Sequence, residues 1–166
     1  MNAALPDPDT APELFEGVLT RRMMAFVVDM VIISMMVFAL AIVGGIAGFL
    51  TFGLAWLGLV VLLPLSIVLY YAATLGSPRR ATVGMQMMDI VLTPTRASTL
   101  DGGMAVLHAL LFWVSVWIFW PISLGIALFT PRRQMLHDLI LGTLMVRRSP
   151  MTRHWASYQA NAGRAF

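Results

Sequence analysis

Residues 23–75 read MMAFVVDMVIISMMVFALAIVGGIAGFLTFGLAWLGLVVLLPLSIVLYYAATL, 53 positions with one formal charge, Asp29. A membrane-spanning helix needs about 20 apolar residues, so this run holds two spans and a connection. Gly44, Gly45, Gly48 and Gly53 cluster where a tight turn needs permissive backbone. They predict a first span near 23–43 and a second near 54–75. Gly44 and Gly48 also have the small-xxx-small spacing that lets helices approach closely, expected here to serve a tight hairpin rather than a dimer. Pro64 is expected to kink the second span without ending it.

The whole composition agrees with that run. Of 166 residues 59% are hydrophobic and 11% charged, against about 25% charged in an ordinary soluble domain. Disorder, collagen-like repeats and a water-soluble globule are excluded. The absence of cysteine excludes disulfide frameworks, thiolate zinc sites and thiol catalysis. All eleven basic residues are arginine, eight of them in the pairs Arg21-Arg22, Arg79-Arg80, Arg132-Arg133 and Arg147-Arg148. These pairs punctuate apolar runs instead of covering a solvated face, so no nucleic-acid partner is expected. The expected partners are the bilayer and its anionic headgroups.

A third apolar run, Met104–Thr130, has no formal charge and carries Pro121 in its second half. Residues 134–146 contain Asp138 and are too short to span. With three straight spans the arginines divide five and six between the two sides. An even number of crossings gathers all eleven on one side, as the positive-inside rule prefers. The third segment is therefore expected to break near Trp120-Pro121 and turn back, as a re-entrant segment or short hairpin; three straight spans are the alternative. The acidic N-terminus lacks the features of a cleavable signal, so the first span is expected to stay as an anchor. Leu14, Phe15, Val18 and Leu19 predict a short interfacial helix before it. The expected division is an N-terminal tail with that helix over 1–22, a membrane domain over 23–146 (third span about 104–130) and a basic tail over 147–166. Met85–Leu92 and Leu144–Val146 are expected to be short strands or turns at the cytoplasmic surface, with turns at Thr93-Pro94 and Asp101-Gly102-Gly103.

Asp29 is the sharpest chemical signal. An ionised carboxylate about two turns into a span is costly unless paired or hydrated. Arg22, seven residues earlier, shares its helix face, but a rise of about 10.5 Å separates the two. Asp29 is either an ion or proton site or a polar clasp between helices. Arg132, Arg133, His137 and Asp138 form a second charged group, expected to join Arg21, Arg22 and Asp29 or to anchor to headgroups. Adjacent on a helix, His137 and Asp138 would diverge by about 100°, which argues against a relay between them. His108 and Ser115 share a face of the third segment, opposite Trp113, Trp117 and Trp120. No second histidine lies at ligand spacing from His108, so no metal site is expected. Met85-Gln86-Met87-Met88 offers thioethers of the kind that select Cu(I), but without cysteine or histidine partners packing is the expected role. No nucleophile elbow, P-loop, dinucleotide fingerprint or His-Glu-x-x-His occurs, and neither an enzyme nor a cofactor is expected.

Two stretches carry a family resemblance. Arg22-Met-Met-Ala25-Phe26-Val-Val-Asp29 and Leu136-His137-Asp138…Gly142-Thr143-Leu-Met-Val146 resemble the opening and closing motifs of the RDD family of small bacterial membrane proteins. The resemblance implies that Arg22, Asp29 and Asp138 are the name-giving residues. The middle motif departs from the pattern: after Thr82-Val83-Gly84 stands Met85 where the family usually has lysine, with Asp89 and Val91 in place of glycine and arginine. Family members are linked to cation/proton antiport or to accessory roles. The resemblance therefore implies a multi-pass protein of the bacterial cytoplasmic membrane, N-terminus inside. Its expected work is exchange of a monovalent cation for protons, in a homo-oligomer, or assembly within a membrane complex.

Overall fold

The computed structural model describes residues 7–95 and 102–153. The expected tails over 1–6 and 154–166, Arg96, Asp101 and the side chain of Trp120 lie outside the described residues. The fold is mostly helical. Helix α1 (Val18–Leu50) and helix α2 (Leu54–Leu75) form a hairpin, followed by the one-turn helix α3 (Val83–Met87) and strand β1 (Ile90–Pro94). Helix α4 (Gly102–Phe129), the short helix α5 (Leu136–Leu141) and strand β2 (Thr143–Arg147) complete it. The strands pair antiparallel, Leu92 opposite Met145. Leu144–Val146 lies in β2 as expected; of Met85–Leu92 only residues 90–92 are strand, Met85–Met87 belonging to α3, and β1 runs on through Thr93-Pro94, where the sequence predicts a turn.

The hairpin is tighter than the glycine cluster predicts. Helix α1 runs through Gly44, Gly45 and Gly48, and the turn is only Thr51–Gly53. Phe52 and Gly53 take positive φ, 50° and 94°. The Thr51 hydroxyl donates to the Ala47 carbonyl at 2.7 Å and accepts from the Ala55 amide at 3.0 Å, tying the end of α1 to the start of α2. The glycines inside α1 serve packing instead. A Cβ on Gly44 would lie 2.3 Å from Leu59, and one on Gly48 would lie 1.7 Å from the Trp56 ring. The first span therefore continues to Leu50 instead of ending near residue 43. The second span matches α2, which carries Pro64 within one continuous helix.

Polarity is inverted relative to a soluble domain. Phe38, Leu57 and Trp117 are 68%, 69% and 76% exposed, whereas Arg22, Asp29, His108, His137 and Asp138 are buried. Apart from Gly48 beneath Trp56, the buried residues of α1 form one stripe, Val18, Arg22, Ala25, Asp29 and Ile33, at helical spacing. Apolar surface turned outward suits lipid, where it loses nothing by exposure, while charges are tolerated only facing the interior. Two helices, one ending at Leu50 and the other α2, are long and apolar enough to cross a membrane. Helix α4 bends by 109° between Gly102–Ile118 and Pro121–Phe129, at the proline where the sequence predicts a break. Proline removes an intrahelical hydrogen bond and crowds the preceding turn.

The bend wraps α4 around α5: Ser115 before it and Ser123 after it both reach that helix. The segment before α1 differs from the predicted interfacial helix. It is a 3-10 turn (Pro12–Leu14) broken from α1 by Gly17 at φ 64°. Leu14 and Phe15 pack against Leu144, Val146 and Met151, because β2 presents an apolar face there. The expected tail likewise begins inside the fold. Arg147 closes β2 and meets Glu16 and Asp89, and a helical turn follows over 148–153.

Candidate functional site

Two polar centres lie along the buried stripe of α1. At the first, Asp29 accepts three hydrogen bonds: Tyr70 Oη at 2.6 Å from α2, Thr82 Oγ1 at 2.5 Å and the Gly84 amide at 2.8 Å. Thr82 also caps α3 by accepting from the Met85 amide at 3.1 Å. Gly84 is required by closeness, since a Cβ there would stand 2.2 Å from the Ala25 carbonyl oxygen and 2.9 Å from the Asp29 carboxyl. The Thr-x-Gly of the middle motif is thus the counterpart of Asp29. Met85, in the position of the family's lysine, is buried in the apolar core.

At the second centre Arg22 donates to Asp138 Oδ2 at 2.6 Å, and both side chains are buried. Arg22 also donates to the Arg133 carbonyl at 3.3 Å and approaches His137 Nε2 at 3.4 Å. Asp138 stands third in α5 and accepts from the Met135 amide at 3.1 Å, satisfying an orphan donor at that helix start. Gly142, at φ 66°, turns the chain after α5 so that Thr143 donates back to Asp138 Oδ1 at 3.2 Å. His108 from α4 and His137 enclose the same carboxylate. Burial alone would raise the Asp138 carboxyl. The Arg22 charge, then His137, His108 and the Met135 amide outweigh it and hold it below the usual carboxylate range. Burial pushes His137 down, favouring the neutral imidazole.

Arg22 and Asp29 share a face, yet no hydrogen bond or ion pair joins them among the described residues; each has its own partners. His137 and Asp138, predicted to diverge, lie 3.5 Å apart (Nε2 to Oδ1) because α1, α4 and β2 surround both. Arg21, Arg132 and Arg133 stay out of the cluster. Arg21 donates to the Met88 carbonyl, Arg132 meets Asp7, and the Arg133 side chain donates to the Leu128 carbonyl. Tyr70, Thr82 and Thr143 are site residues with no role expected from the sequence, Thr82 and Thr143 being visible only as motif positions; Ser115, expected on the His108 face, meets His137. A cavity of about 260 Å³ connects the centres, with Arg22, Asp29, Thr82 and His108 on its walls among apolar side chains such as Phe26 and Phe112.

A helix hairpin with outward apolar surface and two internal charge centres, closed by a broken third helix, defines a membrane protein. The sequence model of the RDD family matches residues 17–142, and the chain belongs to that family. No curated protein and no solved structure matches it.

Proposed function

We propose that the chain exchanges a monovalent cation for protons across a bacterial cytoplasmic membrane, with Asp29 as the titrating group. The observation that carries this reading is the cavity, because it puts Asp29 on one wall with Arg22 and His108. Intramembrane acids facing a cavity mark ion and proton pathways. Arg22 is then the charge-setting neighbour of Asp29, and Asp138 is a partner at the cytoplasmic end. We place the N-terminus in the cytoplasm and both ends of the bent α4 on that same side, which gathers every arginine there. The exposed Arg80 and Arg133 then meet anionic headgroups. One hairpin and one bent helix make a thin wall, so the pathway is completed by further copies of the chain.

A second reading, an accessory or assembly subunit without transport, is favoured by the three donors that already satisfy Asp29. Flux into liposomes under a pH gradient separates the two when native chain and Asp29→Asn are compared. Transport predicts cation flux in the native protein and its loss in a variant that still folds. Equal flux in both removes Asp29 from the mechanism, and no flux in either supports the accessory role.

A further inference from the structure

The second polar centre contains more acceptors than donors. Ser115 Oγ donates to the Phe112 carbonyl at 2.9 Å, so toward His137 Nδ1, 3.0 Å away, it acts as acceptor and that nitrogen carries the proton. His137 Nε2 is left with a lone pair. Thr143 Oγ1 donates to Asp138 Oδ1, so it accepts from His108 Nδ1 at 3.5 Å, and His108 Nε2 also presents a lone pair. The two lone pairs face Asp138 Oδ1 at 3.5 Å and 3.9 Å. Donor atoms of His108, His137 and Asp138 all lie within 4.8 Å of one another, in buried residues. Arg22 serves one side of this group through Asp138 Oδ2 and His137 Nε2. On the side shared by His108 Nε2 and Asp138 Oδ1, Thr143 is the donor to Oδ1 and none of these groups donates to His108 Nε2.

We propose that His108 Nε2, His137 Nε2 and Asp138 Oδ1 form a binding site for a transition-metal cation of the zinc class. Imidazole with carboxylate is a donor set that zinc accepts. Bonds of 2.0–2.1 Å in a tetrahedron put ligand atoms about 3.4 Å apart; the two His–Asp138 separations, 3.5 Å and 3.9 Å, are near that, and the set as a whole, within 4.8 Å, closes by a side-chain adjustment of the two rings. Both imidazoles are held at Nδ1 by a hydroxyl, the outer arrangement that fixes ring orientation at metal sites. His108 lies on the cavity wall, which supplies an entry path and room for a fourth ligand. The sequence hides the site because its histidines are 29 residues apart, on different helices. Arg22 is the built-in competitor: it keeps Oδ2, its contact with His137 Nε2 at 3.4 Å opens when that lone pair takes a cation, and its charge repels a cation at Oδ1. Asp29, on the same cavity, offsets part of that repulsion.

The site does not rest on the transport reading, because its readout is binding and not flux. The full chain in detergent, stripped with a chelator, is titrated calorimetrically with Zn²⁺ alone. One saturable site per chain is expected. It is lost in His108→Ala and His137→Ala and kept in His154→Ala, which removes the remaining histidine of the sequence. Ser115→Ala weakens binding about 10–100-fold by freeing the His137 ring. Arg22→Gln retains all three donors and binds more tightly, so Zn²⁺ raises its unfolding temperature more than that of the native chain. If the histidine variants do not fold, Ser115→Ala and Arg22→Gln decide. The proposal is overturned by no saturable binding to the native chain, or by unchanged binding in a folded histidine variant. Unchanged binding in both Ser115→Ala and Arg22→Gln overturns it as well.

Discussion

Arg22 and Asp29 occupy the same stripe of one helix and find their partners in different parts of the chain, a charge 116 residues away for Arg22 and neutral donors 53–55 away, Thr82 and Gly84, for Asp29. Removing one member of a buried pair strands the other charge. Arg22→Ala is therefore expected to cost about 3–5 kcal/mol, measured by unfolding in detergent. Gly84→Ala tests the other centre. Its Cβ meets backbone at Ala25, which cannot swing aside, so a loss of roughly 1–3 kcal/mol is expected in the same measurement. The importance of Arg22, Asp29 and Asp138 was legible in the sequence, because a charge inside or beside an apolar run must be accounted for. Their partners were not. Helical register limits which residues share a face, but it cannot show which later element closes over that face. For the same reason the neighbours His137 and Asp138 were misjudged: a six-residue helix enclosed on several sides buries directions that a helical wheel separates.

Among the elements, the hairpin shows why glycine is ambiguous. Flexibility and closeness call for the same residue; Gly53 supplies the first at the turn, and Gly44 and Gly48 supply the second beneath Leu59 and Trp56. The length of the apolar run revealed two helices, but only packing distinguishes these uses. The two-stranded sheet has its own fastening. Asp89, at φ 57° before β1, accepts from the Ser149 amide at 3.0 Å and hydroxyl at 2.6 Å, and Arg147 lies 3.5 Å away. Burial is the largest single influence and raises its carboxyl, but the two Ser149 bonds and the charges of Arg147 and Arg21 together outweigh it, leaving it below its ordinary 3.8. A depressed carboxyl stabilises the fold at any pH above that ordinary value and loses its contribution as pH falls through the lower folded value. Ser149→Ala is expected to reduce this acid-sensitive part by about 1 kcal/mol, read from unfolding curves taken above and below about pH 4.

For the whole molecule, topology depends on whether the bent α4 crosses or turns back. A straight third span would carry Pro131 to the side occupied by the Thr51–Gly53 turn, whereas a segment that turns back returns it to the side of Arg79. The sequence has no cysteine, so single introduced cysteines are unambiguous labels. Arg79→Cys and Pro131→Cys are expected to react with an impermeant thiol reagent from one side of a sealed vesicle, and Phe52→Cys from the other. Pro131→Cys reacting together with Phe52→Cys would restore three straight spans. Pro121 made the bend legible; the 109° angle goes with α4 having α5 to wrap.

The separation between α1 and its neutralising partners also imposes an order on synthesis. When α1 leaves the ribosome, neither Thr82 nor Asp138 has been made, so a helix with a bare arginine and a bare carboxylate must wait at the membrane. Arg22 waits longest, because α5 is among the last described elements to emerge. A chain interrupted before α5 therefore lacks the carboxylate that pairs with Arg22. Besides holding the fold closed, the Leu136-His137-Asp138 segment marks its completion.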